Sequence, residues 1–110
     1  MANKGNYYKL RTRDFFLKQG YQVDLIEKYN RIFKDGKIIF TKRDVFGSDG
    51  ISMKEDELIF WNAVFGKANI ARAVKNYKQF IFPSFVKVWV VAWEERVREP
   101  EIVELKDENL

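Results

Sequence analysis

The order of residues predicts an α/β (α+β) chain, a single mixed β-sheet flanked by helices in the order αββββαββ. Three observations carry that prediction. An amphipathic stretch at residues 6–19 ends in Gly20, a natural helix stop. The pair Asp35-Gly36 lies between two runs of alternating residues, a strong hairpin signal. Two apolar runs, Leu58–Phe65 and Val86–Trp93, are separated by a helical pattern, the signature of a strand, a crossover helix and a parallel strand.

The elements follow in order. In the first helix Tyr7, Leu10, Phe16 and Leu17 define one broad apolar face, widened by Tyr8 and Phe15. Tyr21 to Phe33 alternates and is expected as one strand, returning after Asp35-Gly36 through Lys37–Arg43. The result is a long hairpin whose tip carries Arg31, Phe33, Lys34 and Lys37. Residues 44–49 form a bend containing Gly47, and Ile51-Ser52-Met53 a short strand. Leu58–Phe65 reads as a strand buried on both faces. A second helix is expected over 67–80, with Ile70, Val74 and Tyr77 inward, Arg72, Lys75, Lys78 and Gln79 outward, and Pro83 beyond it. Val86–Trp93 is another central strand and Glu101–Leu105 an edge strand. Residues 1–105 are expected as the single domain and 106–110 as a flexible acidic tail.

Composition narrows the chemistry. The chain has 110 residues with no Cys and no His, which removes disulfides, thiolate chemistry, the commonest metal nitrogen ligand and the commonest general base. Oxygen ligands alone point to Mg²⁺ or Mn²⁺ as the cofactor. No apolar run is long enough to span a bilayer, and Met1–Gly5 lacks the apolar segment of a secretion signal, so a cytoplasmic location without a membrane partner is expected. The net charge of +4 is unevenly spread. Residues 1–93 carry 17 Lys or Arg against 9 Asp or Glu, and residues 94–110 carry 3 against 7. A basic body suits a polyanion such as nucleic acid; a charged, solvated surface is the plainer use.

The candidate site lies in Lys42-Arg43-Asp44-Val45-Phe46-Gly47-Ser48-Asp49 and the run Glu57–Val64. Two carboxylates bracket a glycine bend, and an apolar strand ends in the amide of Asn62. Phosphodiester hydrolysis needs a divalent cation held by carboxylate or carbonyl oxygens, with a Lys beside the phosphate, and strand ends fix such groups well. At these residues the chain resembles the PD-(D/E)XK nuclease superfamily, and within it the small archaeal Holliday-junction resolvases and related phage or plasmid nucleases. The likeness is one of layout over roughly residues 6–93. An Asp-aliphatic-Phe-Gly segment just before the metal-binding Asp is common in those enzymes, and Asp49 matches that Asp. Asn62 falls where the family places Glu or Gln, and Val64 where it places Lys.

The resemblance implies a restriction-endonuclease-like fold and a metal-dependent DNA endonuclease, selective for branched DNA and working as a homodimer. It makes Asp49, Asn62 and Lys67 the catalytic candidates, Lys67 standing in for the displaced Lys. Asp49, Asp44 and Asp14 are the metal-ligand candidates. Lys42, Arg43, Arg31 and Lys34 of the hairpin, with Arg72 and Lys75 of the second helix, are the candidate phosphate contacts. Each has a plainer use: Asp49 as a turn residue, Asp44 as a partner for Lys42 or Arg43, Asn62 as a backbone-bonding amide, Lys67 and Asp14 as solvated helix residues. Trp61 and Trp93 serve either the core or base stacking. Because Asn62 and Val64 replace the acidic and basic members of the second motif, two further functions stay open. One is a nuclease-like protein that binds nucleic acid without cutting it, and the other a protein–protein adaptor using the hairpin or the Glu101–Leu105 edge.

Overall fold

A computed structural model describes residues 4–26, 28–43 and 45–105, with the side chains of residues 4–5, 28–32 and 39–43 outside that description. Helix α1 (Lys4–Lys18) ends as the glycine promised. Gly20 takes φ +89°, the Tyr21 N–H donates to the Phe16 carbonyl at 3.1 Å, and the Gly20 N–H donates to Leu17 at 3.1 Å. This is a Schellman stop, closed by edge-to-face contact of the Phe16 and Tyr21 rings at 5.2 Å.

Strand β1 (Gln22–Leu25) follows, then the hairpin strands β2 (Lys28–Lys34) and β3 (Lys37–Arg43). Asp35 and Gly36, at φ 54° and 72°, form the left-handed two-residue turn. The expected single strand over Tyr21–Phe33 is therefore two strands in two sheets. Leu25 pairs with Gly50, whereas Lys28 pairs with Arg43. The alternation runs through both because each is extended, and period alone does not reveal a change of partner.

The remaining elements are β4 (Gly50–Lys54), β5 (Glu57–Phe65), α2 (Ala68–Tyr77), β6 (Val86–Trp93) and β7 (Glu101–Leu105). They build a mixed five-stranded sheet in the order β1-β4-β5-β6-β7, with β2-β3 a separate two-stranded sheet. β5 and β6 are parallel and the other pairs antiparallel, so β5-α2-β6 is the crossover unit the sequence predicts. Helix α2 is shorter than the expected 67–80. Its end tightens into a turn in which the Phe80 N–H donates to the Tyr77 carbonyl, three residues before Pro83.

Both faces of β5 are covered, by different partners. Ile59, Trp61 and Ala63 pack in a cluster with Tyr8 and Phe16 of α1, and with Val91 and Trp93 of β6. On the other face Val64 joins a cluster with Ala73 and Tyr77 of α2, Val88 and Val90 of β6, and Leu105 of β7. Trp61 is 0% exposed and Trp93 2%, so both serve the core. The Trp93 indole donates to Thr12 Oγ1 and the Trp61 indole to Ser52 Oγ, each at 2.9 Å. Gly50 is required by Trp61, because a Cβ there would lie 2.2 Å from the indole ring. The buried stripe of α1 is Tyr8, Lys9, Thr12 and Phe16, while Tyr7 and Leu17 are half exposed. Two polar residues of that stripe are thus hidden where the apolar pattern alone placed Tyr7 and Leu17.

Candidate functional site

The segment before β4 is a tight turn. The Ser48 N–H donates to the Val45 carbonyl at 2.9 Å, and the Val45 N–H to the Ser48 carbonyl at 3.3 Å. Phe46 (φ 51°) and Gly47 (φ 72°) both sit in the left-handed region, the geometry of a type I′ turn. Three side chains anchor this turn to the body. Ser48 Oγ and Tyr77 OH, both fully buried, share a hydrogen bond at 2.8 Å. The Asn62 amide donates to the Gly47 carbonyl at 3.0 Å. Asp49 closes the far side of the turn.

Asp49 is 2% exposed, and its backbone explains where its carboxylate goes. Its N–H donates to the Trp61 carbonyl at 2.9 Å, while its own carbonyl turns away to accept from the Ile26 N–H at 3.1 Å. The next ladder donor on β5, the Ala63 N–H, would lose its acceptor. Asp49 Oδ2 takes its place at 2.9 Å. The other oxygen, Oδ1, faces the Lys9 ammonium of α1 at 3.4 Å, and Lys9 is itself buried. A carboxylate removed from water needs such partners, since an unpaired buried charge is far costlier than a paired one. Asp49 thus clasps α1, β5 and the residue that follows β1.

The sequence-predicted site residues divide accordingly. Asp49 turns to α1. Asn62 belongs to the opposite side of the sheet, in a groove of about 410 Å³ that it lines with Val64 of β5, with Asn69, Arg72, Lys75 and Asn76 of α2, and with Gln79 just beyond that helix. Asp14 is exposed and ion-paired with neighbouring Arg13 at 3.2 Å, lining a different cavity beside Arg11, Lys18 and Arg98. Lys67 stands at the start of α2, over a small cavity edged by Glu94, Glu99 and Glu101. The structure therefore brings Asn62, Arg72 and Lys75 together, and leaves Asp49, Asp14 and Lys67 in three other places. Lys34 is exposed at the hairpin turn. Asp44, the side chains of Arg31, Lys42 and Arg43, and the tail 106–110 lie outside the described residues.

A divalent cation at Asp49 would have to displace the Lys9 ammonium and compete with the Ala63 N–H. Among the described residues no group of three or more Asp or Glu is placed to hold a metal ion. The residues around Asp49 suit a held ammonium better than a bound divalent cation.

The α2 groove has the opposite character. Its amides offer both donors and acceptors, and its two cations are exposed. Such a set suits an anion with many oxygens, as a phosphodiester backbone has. Sequence reasoning missed Lys9, Asn69, Asn76 and Gln79 as members of these two sites. For Lys9 no sequence signal exists, because its carboxylate partner is distant along the chain. For the amides a signal was present: Asn69, Arg72, Asn76 and Gln79 recur at helical spacing.

No protein-family model matches this chain, and no curated protein matches it. Among solved structures it is similar to the crystal structure of SSO0001, with a TM-score of 0.50 at 15% sequence identity. The match covers 93% of this chain and 50% of that one, so the chain spans about half the length of SSO0001. A likeness at that identity shows the fold alone.

Proposed function

We propose that this chain is a nucleic-acid-binding protein built on a nuclease-like core, gripping the sugar–phosphate backbone through the α2 groove without metal-dependent cutting. One observation carries the reading. Asn62, Arg72 and Lys75 line a single groove, while the carboxylate that a nuclease would use is held by Lys9. The basic balance of residues 1–93 supports it through counterion release from phosphate. Lys34 and Lys37 at the hairpin turn are exposed cations as well. The reading places the protein inside the cell with its nucleic acid, and a homodimer would double the cationic surface offered to a branched DNA.

The test is fluorescence anisotropy with labelled DNA and RNA in EDTA across a salt series. Binding should persist in EDTA and weaken steeply with salt. Replacing Arg72 and Lys75 together by Ala should lower the salt slope by about two phosphate contacts. Absence of binding to either nucleic acid at low salt would sink the reading. The hydrolytic alternative, a Mg²⁺- or Mn²⁺-dependent endonuclease acting on branched DNA, keeps Asp49 as its ligand and requires Lys9 to withdraw. Mn²⁺-dependent nicking that disappears in Asp49→Ala would favour it over the non-cutting reading.

A further inference from the structure

The turn that carries Gly47 presents an aromatic ring beside the α2 groove. Phe46 is 54% exposed, although a buried ring would be worth more to folding. It is also held in the left-handed region at φ 51°, where Asn, Asp or Gly is the cheaper choice in such a turn. Its ring meets Phe80 at 5.7 Å and Phe82 at 6.4 Å in T-shaped contacts. Phe60 meets it in the same way at 6.5 Å, and these three contacts leave more than half of the residue's surface exposed. Ile81 and Phe85 of the same connection are exposed as well.

This apolar surface and the groove are continuous. The Gly47 carbonyl accepts from Asn62, a groove residue, at 3.0 Å. The pro-Cβ position of Gly47 lies 3.0 Å from the Asn76 amide and 3.4 Å from the Phe80 ring. Asn76 in turn accepts from Gln79 at 3.0 Å. From Arg72 and Lys75 through Asn76 to Phe46 the surface thus passes from cations, through amides, to a half-exposed ring.

Resting on the nucleic-acid reading of the groove, we infer that this face selects single-stranded over duplex nucleic acid, the backbone lying along Arg72 and Lys75 and an unpaired base stacking on Phe46. A duplex hides its base faces in its own stack and offers Phe46 only its edge. A single strand offers both its charged backbone and its π-faces, which is the pairing of groove and ring that sequence-tolerant single-strand binders use. A protein partner would find the rings, but it would have to cover two cations and the groove amides with matching acids. The adjoining positive charge therefore favours the polyanion.

The experiment compares labelled oligo-dT, oligo-U and a blunt hairpin duplex by anisotropy, with the whole chain and two variants. Phe46→Asn removes the ring and suits the left-handed turn, so the fold is spared and its melting temperature should hold or rise. Phe46→Trp keeps a ring and adds a fluorescent reporter. The wild-type chain should bind the single strands at least about tenfold more tightly than the duplex, and Phe46→Asn should lose about tenfold on the single strands alone. Phe46→Trp should keep the affinity, with its added indole quenched on binding. The dT and U arms report whether the strand is DNA or RNA, and the inference holds for either. Equal affinity for duplex and single strand, or unchanged single-strand binding by Phe46→Asn, would overturn the inference and leave the groove reading intact. No binding to any of the three would overturn both.

Discussion

Lys9 and Asp49 show how one buried pair can tie a turn to the helix above it. The carboxylate does two jobs: it accepts from Ala63, completing the ladder that its own carbonyl abandoned, and it faces the Lys9 ammonium. Removing one member of a buried pair exposes the other to a dry environment with its charge intact. Lys9→Met is therefore expected to cost about 3 kcal/mol of stability. Asp49→Asn in the same background removes the stranded charge while leaving an oxygen for Ala63, so the double variant should be more stable than the sum of the two single losses predicts. Urea unfolding of the four chains measures this directly; simple additivity would show that the pair is not coupled. The chemical type of Asp49 was legible in the sequence as a carboxylate at a glycine turn. Its partner was not, because an ion pair is made by the fold that brings residues 9 and 49 together.

At the scale of elements, the sheet is organised around Trp61. Its ring passes over Gly50 on the paired strand and its indole N–H reaches Ser52. Gly50 is needed for space here, since its backbone is ordinary strand. Gly50→Ala forces a methyl group into the ring and should cost about 3 kcal/mol as an overpacked core does. Trp61→Phe in that background should recover part of the loss by removing the second ring. Guanidinium denaturation checks both. An unchanged midpoint in Gly50→Ala would mean that the strands part easily at this point. The β5-α2-β6 unit was legible because two apolar runs around an amphipathic helix admit few arrangements. The division of residues 21–33 into β1 and β2 was not, because each strand is extended and alternates regardless of which neighbour it bonds.

Across the molecule, two pH boundaries among the described residues meet at one contact. The Tyr21 hydroxyl, just past the end of α1, donates to the Glu57 carboxylate at the start of β5, and Lys87 of β6 lies 3.4 Å from the same carboxylate. Burial, helped by the hydrogen bond to Glu57, pushes the Tyr21 phenol from 10.0 up to about 12. The hydrogen bond from Tyr21, with the charges of Lys87 and Lys54, holds Glu57 below its ordinary 4.5. For Tyr21 the raised value means a contribution present below pH 10 and lost as pH climbs toward 12. For Glu57 the lowered value means a contribution present above pH 4.5 and lost as pH falls through its folded value. Tyr21→Phe should flatten the alkaline fall in melting temperature between pH 10 and 12 and soften the acid one. A variant whose alkaline profile matches the wild type would place the titration elsewhere.

The chain alone determined the period and class of its elements: the glycine stop of α1, the Asp35-Gly36 hairpin turn, and the crossover unit that carries α2 between the parallel strands β5 and β6. These are local facts, set by backbone preference and by the spacing of apolar side chains. Tertiary structure decided the rest. It chose which face of α1 is buried, hiding Lys9 and Thr12 where Tyr7 and Leu17 were expected. It turned Asp49 toward Lys9 and placed Asn62 with Arg72 and Lys75. Adjacent residues on a strand point to opposite sides of the sheet. Spacing along the chain fixed that Asn62 and Ala63 diverge, but only packing on two helices settled that Ala63 joins the core under α1 and Asn62 the groove beside α2.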